Sequence, residues 1–261
     1  MKNLRKYGEP PMNIAVIHGG PGAPGEMAPV ARELSSVQGI LEPLQSAWTI
    51  EGQIMELKDV LEKEGNFPLI LIGWSWGAWL SFIFASQYPM FVKKIILIGS
   101  GPFEEKYART IMQTRLSRLS EKEKFEVLFL MRIMDDPTIT DKNKTMRRFG
   151  KIISKADSYA PLPHKSEILE CRYDLYHKIW EQAARLRSSG RLLRFGRKIK
   201  CPVIAIHGDY DPHPYEGVKN PLSRVLEDFR FILLKKCGHQ PWIEKHAREK
   251  FFDTLKNELW R

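Results

Sequence analysis

The stretch Leu69-Ile70-Leu71-Ile72-Gly73-Trp74-Ser75-Trp76-Gly77 is where the chain is most informative. Four apolar residues of strand length run into a Gly-x-Ser-x-Gly turn, and an apolar segment of helical length follows to Tyr88 and Pro89. A nucleophilic serine needs this setting. It must stand on a tight strand-to-helix turn that exposes its hydroxyl, and small residues must flank it because the backbones pass closely there. A bare Gly-x-Ser-x-Gly occurs often by chance; one placed between a buried strand and a helix is informative.

Working outward, residues 12–17 read as a strand ending in His18-Gly19-Gly20-Pro21-Gly22. Helical spacing follows over 28–37, a short strand over 39–43, and a Thr49-capped helix to 64 with Ile50, Ile54, Leu57 and Leu61 on one face. Strands are expected at 67–72 and 93–98 around a helix at 75–88. Apolar strands alternating with helices predict a parallel sheet covered on both faces. From 103 to 200 the pattern turns helical. Ser120-Glu121-Lys122-Glu123 is a capping box ahead of Phe125, Leu128, Phe129 and Met131, and a helix over 168–188 turns Tyr173, Tyr176, Ile179, Trp180, Ala183 and Leu186 inward. Alternation returns with strands at 202–206 and 229–234 and helices at 217–226 and 246–259. The expected organisation is a core built from 1–102 and 201–261, with 103–200 inserted between two of its strands.

Composition narrows the classes. The 261 residues are 43% hydrophobic and 28% charged, ordinary for a folded soluble chain. Three well-separated cysteines, Cys171, Cys201 and Cys237, fit neither a disulfide framework nor a zinc site, so no metal is expected. No segment approaches the roughly 18 apolar residues of a membrane span. The basic N-terminus runs into Gly8-Glu9-Pro10-Pro11 rather than an apolar signal core, so a cytoplasmic protein without membrane attachment is expected. The net charge is +10, and residues 103–200 hold all of that excess, with 23 Lys and Arg against 13 Asp and Glu. No nucleic-acid motif accompanies it, and its aromatics fall at helical spacing, so a solvated helical face is expected rather than a nucleic-acid surface.

A nucleophilic serine requires a base, and the base an orienting acid. Behind strand ends on the same rim lie His207-Gly208-Asp209-Tyr210-Asp211 and Gly238-His239. We expect Ser75 as nucleophile, His239 as base and Asp211 as acid. Asp211 lies further into its loop than Asp209, which is expected to brace that loop. Two backbone N–H groups should stabilise an oxyanion: that of Trp76, directly after the serine, and that of Gly20, with Gly19 the fallback. His18 is expected to brace the glycine loop, and Trp74 and Trp76 to wall a substrate pocket.

Together these pieces resemble the α/β-hydrolase superfamily. His18-Gly19-Gly20-Pro21-Gly22 with Gly-x-Ser-Trp-Gly looks more narrowly like its proline iminopeptidase-like branch, and Gly238-His239-Gln240-Pro241-Trp242-Ile243-Glu244 looks like that family's histidine loop. The resemblance implies an α/β-hydrolase fold with a helical cap at 103–200, a small-molecule substrate and no cofactor. Two departures stand out. Glu42-Pro43-Leu44-Gln45-Ser46 replaces the family's Asp-x-Arg-Gly-x-Gly-x-Ser, and the first hairpin is expected to be missing or very short. The branch includes esterases and aminopeptidases. The aminopeptidases hold an ammonium group with cap carboxylates, for which Glu104, Glu105, Asp157, Glu170 and Asp174 are available here. The basic excess fits that poorly, so a carboxylic ester is the first expectation and aminopeptidase the second. A non-catalytic scaffold that binds through the basic cap is the alternative from another class.

Overall fold

The computed structural model describes residues 3–260. Its centre is a seven-stranded sheet: β1 (Leu4–Tyr7), β2 (Met12–Ile17), β3 (Gly39–Pro43), β4 (Leu69–Trp74), β5 (Val92–Ile98), β6 (Val203–Gly208) and β7 (Phe229–Leu234), in the order β1-β3-β2-β4-β5-β6-β7. Every pairing is parallel except that of β1 with β3. The inner strands are buried on both faces, which is why they read as unbroken apolar runs. In β4, Leu69 and Leu71 pack with α2 (Ile50–Glu64) and α3 (Trp76–Gln87), while Ile70, Ile72 and Trp74 face α1 (Ala28–Leu34) and α11 (Arg248–Trp260). Thr49 caps α2, its side chain accepting from Gly52 N–H at 3.0 Å.

Where the first hairpin was expected to be missing or very short, one four-residue strand, β1, pairs with β3. Its four residues add an antiparallel edge, anchored by a buried carboxylate: Glu42 accepts from Arg5 Nε and Nη2, both at 2.8 Å, and from the Tyr7 hydroxyl at 2.7 Å. The departure at Glu42 therefore has a structural role, holding the first strand.

Between β5 and β6 run α4 (Glu105–Ala108), α5 (Ile111–Ser117), α6 (Glu121–Asp135), α7 (Asn143–Asp157), α8 (Tyr173–Ser188) and α9 (Arg191–Arg194); α10 (Glu216–Leu222) follows β6. The capping box at Ser120 and Glu123 is complete. However, α6 buries Val127, Leu130 and Met134 and exposes Phe125, Leu128 and Phe129, because two apolar stripes share its surface and only one meets α7. Helix α8 begins at Tyr173 rather than 168; the preceding strap is held instead by Arg172 N–H to Gly22 O (2.8 Å) and Leu169 N–H to Pro24 O (3.0 Å). Helix α7 was not anticipated from sequence. Among the described residues no helix is long and apolar enough to cross a membrane.

Candidate active site

The elbow forms because its flanking residues lack side chains. A Cβ on Gly73 would come within 2.2 Å of Gly77 O, and one on Gly77 within 2.2 Å of Ile17 O. The turn between them holds Ser75 at φ 53° and ψ −112°, a conformation that costs a non-glycine residue on the order of 1–3 kcal/mol and persists only where the surroundings over-determine it. Ser75 N–H donates to Ile98 O at 3.0 Å, tying the elbow to the end of β5. The next residue there, Gly99, packs against the other two expected partners: a Cβ on it would lie 3.1 Å from His239 Nδ1 and 3.3 Å from an Asp211 carboxylate oxygen. Among the described residues Ser75 Oγ makes no hydrogen bond. Such contacts commonly tighten only when substrate arrives.

His239 Nδ1–H donates to Asp211 Oδ2 at 2.7 Å, with both residues buried. The structure thus brings Asp211, not Asp209, to the histidine. Asp209 Oδ1 instead accepts from Cys237 N–H at 3.3 Å, bracing the two loops. Burial alone would raise the Asp211 pKa, but the imidazoles of His239, His213 and His207 outweigh it and hold the carboxyl well below its usual range. Burial likewise disfavours charge on His239, yet the Asp211 carboxylate wins and its pKa is raised.

His213 was missed in the sequence. Its backbone N–H (2.9 Å) and Nδ1–H (2.7 Å) both donate to Asp211 Oδ1, which leaves Oδ2 to His239, and its ring lies 4.6 Å from that of His239. Burial pushes its pKa down to about 4, so it acts as a neutral donor. The signal was the two-residue spacing of Asp211-Pro212-His213, which lets an aspartate oxygen accept from the backbone two positions on. Asp211, His213 and His239 are also the described grouping whose donor atoms lie within 4.8 Å of one another, as metal ligands would. The Nδ1 atoms of both histidines and both Asp211 oxygens are already engaged in these mutual hydrogen bonds.

Around the expected oxyanion site, Gly20 adopts φ +34°, and among the described residues neither its N–H nor that of Trp76 donates to a protein acceptor. His18 is buried beneath this loop, with Nδ1–H donating to Gly19 O (2.6 Å) and Nε2 accepting from Gln45 N–H (3.3 Å). Burial pushes its pKa down to about 4. It braces the loop in the neutral form.

The expected pocket walls need correcting. Trp74 is only 5% exposed; its Nε1–H donates to His239 O at 2.8 Å, and its ring sits 5.1 Å from both the His239 and Trp242 rings. Strand alternation explains this, since Trp74 shares a sheet face with Ile70 and Ile72. It supports the histidine from behind instead of lining a pocket. Trp76 is 1% exposed and donates to Gln53 Oε1 at 2.9 Å, within a ring cluster with Trp79 and Trp180.

The histidine loop is clasped to the helical segment. Fully buried Glu244 accepts from Tyr159 N–H (2.8 Å), Ala160 N–H (2.7 Å) and Gly238 N–H (3.0 Å). His239 N–H donates to Asp157 O at 2.9 Å, while the Asp157 carboxylate is gripped by Arg115 through two 2.7 Å bonds. Cys237 is buried, with its thiol pKa pushed up by burial, so it lacks thiolate reactivity.

Known proteins agree with this architecture. The family model described as alpha/beta hydrolase fold matches residues 43–245. Lipase 1 of Psychrobacter immobilis is 22% identical over 257 residues, covering 93% of this chain and 75% of that protein. Monoacylglycerol lipase ABHD6 of Bos taurus is 23% identical over 202 residues, 76% of this chain and 57% of that protein. Among solved structures, VinJ superposes with a TM-score of 0.68 at 16% identity over 98% of this chain and 93% of that one. The monoacylglycerol lipase of Paleococcus ferrophilus reaches 0.64 at 14% identity over 98% and 97%. The narrower proline iminopeptidase-like resemblance finds no support in the two sequence relatives, which are named as lipases. With the strand order, the elbow after β4 and a family model matched across most of its length, the chain belongs to the alpha/beta hydrolase fold family.

Proposed function

We propose that this chain is a serine hydrolase of the lipase and esterase kind, cleaving carboxylic esters by two-step acyl transfer. The observation that carries the reading is the 2.7 Å Asp211–His239 bond on the rim where the strained elbow presents Ser75. Ser75 Oγ attacks the ester carbonyl while His239 Nε2 takes its proton. The tetrahedral oxyanion is met by the N–H groups of Gly20 and Trp76, and the imidazolium by Asp211. Collapse breaks the C–O bond, with His239 returning the proton to the leaving alcohol. Water then repeats the sequence on the acyl-enzyme. The helical segment 103–200 serves as the cap over this site.

The names of the two curated relatives favour an ester over a peptide, as do the cap carboxylates. Asp157 is held by Arg115, Glu105 by Arg187, and Glu104 by Arg224 and Lys106, so these are already paired with cations of the chain. Turnover of p-nitrophenyl esters of graded acyl length, set against aminoacyl anilides, tests the reading. Hydrolysis of esters is expected; hydrolysis of anilides alone would overturn it.

A further inference from the structure

Glu26 follows the glycine loop, just before α1, and the mechanism above leaves it without a role. Its Oε2 lies 4.0 Å from where a Cβ on Gly20 would stand, beside the backbone assigned to the oxyanion. It is partly buried, yet among the described residues it makes no hydrogen bond and no ion pair. Enclosed carboxyl groups are ordinarily satisfied by a partner, and one left without any calls for an explanation. The position is not accidental slack. The loop carrying it is pinned by Arg172 N–H to Gly22 O, Leu169 N–H to Pro24 O and Arg5 Nη2 to Gly25 O, at 2.8–3.0 Å. The charged neighbour that bears on Glu26 is His239.

Resting on the ester-hydrolase reading, we propose that Glu26 is a specificity residue: its carboxyl accepts a hydrogen bond from a free hydroxyl carried by the substrate close to the scissile ester. Its surroundings favour a neutral donor over a cation. Burial raises its pKa to about 7, with His239 opposing, so the full negative charge that an ammonium ion would seek is only partly developed near neutrality. A hydroxyl suits both protonation states. It can sit on the alcohol side, as in a glyceryl monoester, or on the acyl side, as in a 3-hydroxyacyl ester.

The test compares kcat/KM of the full chain and its Glu26→Ala and Glu26→Leu variants on glyceryl monobutyrate, methyl 3-hydroxybutyrate, methyl 2-aminobutyrate and methyl butyrate. The leucine variant keeps side-chain bulk should truncation unfold the loop. The wild type is expected to prefer one hydroxyl-bearing ester over methyl butyrate, and the preferred one tells which side carries the hydroxyl. Either variant should cut that ratio about tenfold or more, the worth of a hydrogen bond to a charged or enclosed group. Three results would overturn the proposal: no hydroxyl preference in the wild type, a preference that survives in both variants, or a preference for the amino ester. Labelling of wild type and variants by a fluorophosphonate separates the two readings, because failure to label a folded wild type contradicts the Ser75 assignment itself.

Discussion

Replacing Glu244 by glutamine removes one negative charge and one acceptor from a fully buried junction while conserving its shape. The carboxylate now receives three backbone N–H groups, two of them, from Tyr159 and Gly238, on Oε1 and one, from Ala160, on Oε2. With its oxygen at Oε1, the amide keeps two bonds but aims its NH2 at the Ala160 N–H. Losing one charge-assisted bond and stranding its donor costs roughly 1.5–3 kcal/mol, and weakening the other two to neutral bonds adds about 1. We expect a loss of about 2.5–4 kcal/mol, read as a lower urea midpoint at unchanged slope. In a chain of this size that is a fall of roughly 10 °C in Tm. Because Gly238 adjoins the proposed base, kcat on a p-nitrophenyl ester should also fall, by about tenfold or more. A stability loss below about 1 kcal/mol would refute the reasoning: the clasp between the histidine loop and residues 159–160 would then not depend on this carboxylate.

Asp211→Asn should lower kcat by roughly three orders of magnitude, because the amide cannot accept from both His213 and His239; stopped-flow or steady-state turnover of the same ester checks it. The base must be neutral to act, and its pKa is raised above the ordinary value of 6.5. The acid limb of the kcat/KM profile is therefore expected above pH 6.5, with activity appearing as pH rises through it, and a limb well below 6.5 would contradict the Asp211 contact. Trp74→Phe strips a 2.8 Å bond from the buried His239 carbonyl. It should lower stability by about 1–2 kcal/mol and reduce kcat more than it raises KM, and an effect confined to KM would restore the pocket-wall role.

The parts of the fold legible in sequence were those with strong local demands. An apolar run ending in Gly73-Trp74-Ser75-Trp76-Gly77 can do little else, and the loops after β6 and β7 offered, by position on the rim, the carboxylate and imidazole that the structure brings together. Short polar elements were not legible. β1 is four residues with two adjacent cations, Arg5 and Lys6, and it becomes a strand because Glu42, 37 residues after Arg5, waits to receive the Arg5 side chain. The facing of α6 was open for a different reason: Phe125, Leu128 and Phe129 and the buried Val127, Leu130 and Met134 both satisfy helical spacing, and only the partner α7 selects. Residues 168–172 had helical periodicity, yet backbone bonds to Gly22 and Pro24 hold them extended. At the site, Trp74 could have been placed by strand alternation with Ile70 and Ile72. Glu26 had no local signal, and Glu244 stood in the histidine-loop motif without a sign of its clasp, since what distinguishes both is the neighbours that the fold brings or withholds.

The central claim is that Ser75 is an activated nucleophile. Treating the wild type and Ser75→Ala with a fluorophosphonate, and locating the adduct by peptide mass spectrometry, tests it most directly. The account predicts an adduct on Ser75 in the wild type and none in a Ser75→Ala variant of equal or slightly higher Tm, since alanine removes no hydrogen bond there. A folded wild type that stays unlabelled, or labelling that persists at another residue in the variant, would contradict it.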